Sequence, residues 1–410
     1  MTGYLDHYRG LLGVVAILGL AIALSENRRA ISKRMVVCGL AMQTLLGLLL
    51  LRVELGRQLL DAAGGWVEAV LGCADAGSRF VFGDQLVDPQ GPAGFVFAFR
   101  VLPTIVFVAA LFAVLYHIGL MQLVVKGFAW VTTRVLGSSG AETLNAAASI
   151  FLGQTEAPLV IRPFLARLTR SELAVVMVGG MGLVSGGVLG AYLATGCSSR
   201  DLLTAILMSF PATIFLTKMF IPETGTPETM GSLRIAADHG DVNLLAAAAR
   251  GTREGLLLAA TIAAILISFI ALVTLVNLGL GWLGDQWGQP ELSLQLILGT
   301  LLAPLAWLLG VAAPDCAAVG GLLGTRTVLN ELVAYGDLGG LREQLAPRSF
   351  TLATIALCGF ANISSMGIQL GGIGSLVPDR RSEIAQLGPK VLLIATLANF
   401  LSAAIAGLML

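Results

Sequence analysis

The chain has 410 residues, of which 56% are hydrophobic and only 12% charged, with a mean hydropathy of +0.86. Soluble domains carry about 25% charged residues, so a water-soluble enzyme is excluded and the bilayer is the expected surrounding. A formal net charge of zero excludes a chain built for nucleic acid or for an acidic partner.

Gly10 to Leu24 is a continuous apolar run, followed by the basic loop Glu26 to Arg34 and a second run from Met35 to Leu51. Positive loops stay in the cytoplasm, which places this loop inside and the N-terminus outside. No basic region with a small-residue cleavage site precedes the first run, so no cleaved signal is expected. Val53 to Phe82 is interrupted by Arg57, Asp61, Glu68 and Asp75, and reads as an amphipathic helix on the outer interface. Phe95 to His117 is long enough to span, and Met121 to Leu136, with Lys126 and Arg134, reads as interfacial.

Ala141 to Leu168 is different. Within it, Gly153-Gln-Thr-Glu-Ala-Pro158 puts an amide, a hydroxyl and a carboxylate into an apolar setting beside a glycine and a proline. An ionisable group in hydrocarbon costs about 3 kcal/mol on insertion scales. Backbone freed by Gly or Pro must also be satisfied by protein or a wet cavity. Pro158 and Pro163 are placed to fold this stretch into a re-entrant hairpin of two half-helices. Glu172 to Thr195 follows as a span whose glycines, Gly179 to Gly187, predict local unwinding. Leu202 to Ile221 spans next and is expected to be broken by Pro211.

Beyond a polar connector, Pro222 to Gly240, come an amphipathic segment, Asp241 to Thr252, and a long apolar run, Leu256 to Leu283. Leu292 to Val311 spans again. Ala313 to Tyr335 then repeats the earlier chemistry, with Asn330 and Glu331 in an apolar, glycine-flanked stretch. Phe350 to Gly372 carries Cys358-Gly-Phe-Ala-Asn-Ile-Ser-Ser365, and Val391 to Leu410 closes the chain. The two halves share the order hairpin, Arg-Ser linker, broken helix, a pattern that points to a transport site at mid-membrane. The five cysteines show no CxxC, and His7, His117 and His239 are scattered, so neither a metal site nor a cofactor is expected.

Gln154, Thr155, Glu156, Glu331, Asn362 and Ser365 together offer donors and at least two acceptor carboxylates, while Val188 and Phe360 offer dry walls. That set suits a neutral or cationic solute with hydroxyls and an aromatic face, such as a ribonucleoside. An anion fits poorly, because no arginine cluster accompanies the acids. A channel and a membrane-embedded hydrolase using Asp315 or the Glu pair are the competing classes. The second lacks a nucleophile–base pairing, and Asp315 beside Pro314 reads as a helix cap. No Walker loop is present for an ATP-driven pump. Lys218 is expected to pair with Glu223.

The motifs Gly153 to Pro158, Lys218 to Thr224, Asn330 to Tyr335 and Gly359 to Ser365 occur in the order found in concentrative nucleoside transporters, and the chain resembles that family from about Phe95 to its end. The resemblance implies an all-α polytopic membrane protein with eight transmembrane helices, two re-entrant hairpins and an inverted repeat. It implies no enzyme activity, but a homotrimer importing a nucleoside such as uridine or adenosine by an elevator-like shift, multi-pass in a bacterial inner membrane. It further implies that Gln154, Thr155 and Glu156 face the nucleobase with Val188 and Phe360 lining it, and that Glu331, Asn362 and Ser365 hold the ribose. The expected division is 1–94 for N-terminal helices and the interfacial helix, 95–135 for a scaffold helix and interfacial segment, 141–221 for the first hairpin and transport helices, 241–283 for the amphipathic segment and central scaffold helix, and 291–410 for the second transport half. Leu332 departs from a common Phe.

Ser149 departs from the Asn that sodium-coupled members place four residues before the motif glycine, and Leu183 from a Ser or Thr. The expected coupling ion is therefore H+, with Na+ as the alternative. Glu156 or Glu331 would be the carrier, since a carboxylate shielded from water titrates nearer neutral pH; Ser149 would matter only to a sodium site.

Overall fold

A computed structural model describes residues 2–88, 96–230, 241–289 and 291–410, and every regular element in them is helical. The start of the expected scaffold segment at Phe95, the second half of the polar connector and His239 lie outside the described residues.

The first helices are α1 (Thr2–Ala23), α2 (Lys33–Leu51), α3 (Glu54–Phe82) and the single turn α4 (Asp84–Val87). Ser32 starts α2 by accepting from the Met35 amide at 3.3 Å, which covers one of the four unpaired N–H groups every helix start presents. Next come α5 (Phe97–His117) and α6 (Leu120–Leu136), separated by Gly119 at φ 83°. Only a residue without Cβ takes that left-handed turn cheaply.

The first hairpin is α7 (Gly140–Ala148), a turn through residues 149–156, and a return arm, Ala157–Arg167. The return arm corrects the expectation of two half-helices: it is 3-10, with a kink at Ile161. Pro158 and Pro163 remove amide donors there, so the wider α ladder cannot form. The broken span is α8 (Arg170–Gly182) and α9 (Gly186–Ala194), unwound at 183–185 where the glycines predict it. Thr169 and Glu172 close a reciprocal cap at its start, with Glu172 N to Thr169 Oγ1 at 3.1 Å and Thr169 N to Glu172 Oε2 at 2.8 Å.

Helix α10 (Ser199–Phe220) runs unbroken through Pro211, against expectation. It is the most interior span, with 89% of its apolar window buried, and packing on every side holds the ladder across one missing bond. A third correction concerns α11 (Leu244–Gln286), which joins the amphipathic segment and the long apolar run into one helix of 43 residues. Nothing between Thr252 and Leu256 interrupts a helix. Gly255 instead lets α11 close on α5, since a Cβ there would stand 2.8 Å from Val106 Cα. At 1.5 Å per residue α11 is about 64 Å long, roughly twice the hydrocarbon thickness. Only 6% of its apolar window is buried within the chain.

The second half adds α12 (Leu294–Leu308), α13 (Cys316–Val328), α14 (Glu331–Gly340), α15 (Pro347–Leu357), α16 (Ile363–Leu376) and α17 (Arg381–Met409). α13 and α14 form the second hairpin around Leu329 and Asn330, and α15 and α16 are one helix unwound near Gly359. Five helices of the described chain are long and apolar enough to cross a membrane: α2, α5, α10, α11, and α17 with its preceding turn.

Asp315 does not cap α13 with its side chain; it accepts from the Ala346 amide at 3.2 Å and ties the hairpin to the next helix. At the opposite end, Glu26 of the basic loop meets Arg170 at 3.2 Å and Lys390 at 3.2 Å. Burial pushes the Glu26 carboxyl up, but the two cations outweigh it and hold the group below its ordinary range.

Candidate functional site

The two hairpin turns and the two unwound helices meet in the interior, and each supplies polar groups in the way its backbone dictates. Asn330 ends one arm of the second hairpin and caps the other, its side chain accepting from Val333 N at 3.0 Å. Glu331, the next residue, thereby sits in the first turn of α14, where helix N-terminal dipoles favour a carboxylate. Asn362 performs the same service for α16, accepting from Ser365 N at 2.9 Å. Its amide nitrogen is left to donate to Glu331 Oε2 at 2.9 Å.

Glu331 is 6% exposed. Its other oxygen accepts from the Tyr192 hydroxyl at 3.0 Å, and the Tyr192 ring lies 4.4 Å from that of Tyr335. The first hairpin joins through Gln154, whose amide donates to Ser365 Oγ at 3.2 Å. Gln154, Ser365, Asn362 and Glu331 are thus one connected polar set, contributed by both hairpins and the second unwound helix. The Gln154 side-chain oxygen is buried without a partner among the described residues, so an acceptor remains open at this point.

The rest of the predicted set is dispersed around it. Thr155 packs on α16, its methyl lying 2.6 Å from where a side chain on Gly372 would begin. Glu156 turns back to accept from the Gly153 amide and shares no hydrogen-bond partner with Glu331. Val188 is buried, and Phe360 is half-buried against the core. The Ser149 hydroxyl donates to the Asn145 backbone oxygen at 2.9 Å, and the Asn145 side-chain oxygen is buried with no partner among the described residues.

Glu156 faces a cavity of about 490 Å³. One wall is the first hairpin and the α8 to α9 break, through Phe151, Gly153, Arg162 and Ser185. The other is formed by α5, α6 and the start of α11, through Phe112, Tyr116, Gln122, Arg250 and Glu254.

Several supporting residues escape sequence reading. Lys218 pairs with Glu223 at 2.9 Å as expected, but also with Glu142 at 2.7 Å, deep in the first hairpin. Arg326, fully buried, donates to Ala356 O at 2.6 Å and Asn399 Oδ1 at 2.5 Å. Gln369 donates to Met177 O at 2.8 Å. Tyr192, Gln369 and Asn399 share one signal that could have marked them: each is a polar group alone in an apolar run, which hydrocarbon does not tolerate without a partner.

Comparison with known proteins covers almost the whole chain. Family models described as Na+ dependent nucleoside transporter N-terminus, nucleoside recognition gate, and Na+ dependent nucleoside transporter C-terminus match residues 12–85, 98–198 and 201–407. An uncharacterized transporter of Haemophilus influenzae is 41% identical, with 97% of this chain and 96% of the relative covered. Sodium/nucleoside cotransporter 1 of Rattus norvegicus is also 41% identical over 97% of this chain, which spans 63% of the rat protein. Among solved structures, CNTnw in an inward-facing substrate-bound state superposes with a TM-score of 0.93 at 39% identity, covering 98% of each chain. A substituted CNTnw in an outward-facing state gives 0.93 at 38%, covering 98% of this chain and 97% of that one.

Proposed function

The chain belongs to the concentrative nucleoside transporter family, and we propose that it is a secondary active symporter that imports nucleosides. Membership in a transporter family sets aside the hydrolase alternative. The observation that carries the proposal is the set Gln154, Ser365, Asn362 and Glu331, which joins both hairpins around one buried carboxylate. In this reading the Glu331 carboxylate accepts from ribose hydroxyls, with Asn362 and Ser365 beside it. Gln154, Thr155 and Glu156 meet the base, and Val188 and Phe360 exclude water. Uridine and adenosine both fit this chemistry.

Sodium is the coupling ion we favour, because both terminal family models and the rat relative carry sodium in their names. The Asn145 side-chain oxygen, one helical turn before Ser149 and without a partner among the described residues, is one further oxygen available to a cation. The proton reading rests on the Ser149 and Leu183 departures alone. Inward- and outward-facing relatives of one fold support an elevator-like shift. A homotrimer in a bacterial inner membrane, with the Glu26 to Arg34 loop in the cytoplasm, is the reading that family resemblance and loop charge support.

Nucleoside uptake into proteoliposomes decides the coupling: a sodium gradient at fixed pH should drive accumulation, and a pH gradient without sodium should not. The reverse result restores the proton, with Glu156 or Glu331 as carrier. Equilibration without accumulation under either gradient would mean a channel.

A further inference from the structure

Two residues that line the 490 Å³ cavity carry polar atoms with no task in the site described above. The Tyr116 hydroxyl and the Gln122 side-chain oxygen are buried, and neither has a hydrogen-bond partner among the described residues. Both residues line the cavity, at the end of α5 and the start of α6. The Gln122 amide nitrogen donates to Tyr116 O at 2.8 Å. That bond fixes which end of the amide is engaged and leaves the oxygen as the free end. Buried donors and acceptors left without partners are unfavourable, so a ligand that meets them recovers that loss.

The chemistry narrows the ligand. An amide oxygen only accepts, and a phenol hydroxyl donates or accepts. Phe112 on this wall and Phe151 on the facing hairpin wall, whose ring centroids lie 6.5 Å apart, supply flat apolar surface. A neutral planar ring with an N–H beside a C=O on its edge matches all three. An anion does not: Arg250, the arginine on the wall of Tyr116 and Gln122, is held by Asp241 at 2.9 Å and Glu254 at 3.0 Å, and Arg162 lies across the cavity on the hairpin wall that also carries Glu156.

The cavity reaches along the return arm of the first hairpin past Arg162 to His117 and Asp241. The hairpin base is tied to α8 where Ser139 donates to Glu172, and α8 begins at Arg170, which meets Glu26 of the basic loop. The cavity therefore extends toward the face that carries that loop.

We infer that Tyr116 and Gln122 form a second station for the nucleobase edge, on the vestibule wall opposite the first hairpin, used at the basic-loop face and not at the other. The inference rests on the nucleoside reading above. Transport by the full chain is measured in right-side-out and inverted membrane vesicles with uridine and inosine, which carry N–H beside C=O, and with 3-methyluridine and 1-methylinosine, which lack that N–H. In Tyr116→Phe/Gln122→Leu the KM for uridine or inosine should rise about fivefold to a hundredfold at the basic-loop face, as loss of two hydrogen bonds implies, with the KM at the opposite face unchanged. The methylated nucleosides keep the C=O but lack the N–H, so their change between wild type and variant should be clearly smaller. An unchanged KM, an equal change at both faces, or the same change with methylated nucleosides overturns the second station. Glu331→Gln separates the two claims: if it transports as wild type does, the ribose site itself is wrong, whatever the double variant shows. A wild type that moves neither nucleoside overturns both.

Discussion

Arg326 donates to the side-chain oxygen of Asn399 at 2.5 Å, so the amide nitrogen of Asn399 must point the other way. It points at Gly182 O, 2.7 Å away, and at Cys358 O, 2.8 Å away. These carbonyls lie at the breaks of the two unwound helices, where the α ladder has stopped and lipid offers no donor. One amide on α17, oriented by one guanidinium from the second hairpin, thus satisfies the interruption in each half. Transport helices can be broken at mid-membrane only if something takes up the freed carbonyls, and here that partner is Asn399.

Asn399→Leu should therefore lower stability by about 2–5 kcal/mol, since two buried carbonyls and a guanidinium lose partners. The melting temperature of purified protein in detergent should fall, and nucleoside uptake should fall with it. Gly359→Ala should behave alike, because a Cβ there would stand 2.4 Å from Asn399 Oδ1. Wild-type melting of Asn399→Leu would show that the breaks are held elsewhere.

Glu331 is expected to act on affinity more than on folding. Glu331→Gln keeps the size of a side chain bonded to Tyr192 and Asn362 but removes the charge-assisted bonds proposed for the sugar. Such bonds are worth about 1.5–3 kcal/mol, so nucleoside affinity should drop about tenfold to a hundredfold. Tyr192→Phe removes one positioning bond and should cost less. Calorimetric titration of a uridine, cytidine, adenosine and guanosine panel measures both effects. Retained affinity in Glu331→Gln would remove the sugar carboxylate.

Lys218 stands between Glu142 and Glu223, with Lys218 6% and Glu142 1% exposed. Lys218→Met leaves the first hairpin with an uncompensated acid and should destabilise by about 3–5 kcal/mol. Adding Glu142→Gln should restore much of the loss, because the stranded charge goes with it. A double-mutant cycle on thermal melting reads the coupling directly. Additive losses would mean that the two residues do not act as a pair.

The Glu26 cluster predicts a pH dependence. Its carboxyl is held below the ordinary range by Arg170 and Lys390 despite partial burial. The resulting stabilisation is complete above the unfolded value, about pH 4.3, and is lost as pH falls through the lower folded value. Glu26→Gln should flatten that acid limb in melting curves taken from pH 6 to pH 3.5. The effect should be small, since partly exposed ion pairs are screened by water. An identical acid limb in the variant would assign it to other groups.

The sequence alone carried the membrane class, the hairpin turns and the broken helices, because hydrocarbon makes each polar or flexible residue conspicuous: Gln154, Glu156 and Glu331 stand out in apolar runs, and Gly179 to Gly187 marks the unwinding. The same signal misread Pro211, whose missing bond the packing around α10 absorbs, and it split α11, which local composition could not join. Which polar residues meet was settled by tertiary structure. Nothing local says that Tyr192 reaches Glu331 across 139 positions, that Asn399 serves both breaks, or that Glu156 turns to its own loop while Gln154 crosses to Ser365. Periodicity and cost in lipid are properties of a segment, whereas a hydrogen bond between distant segments depends on how helices cross and face one another.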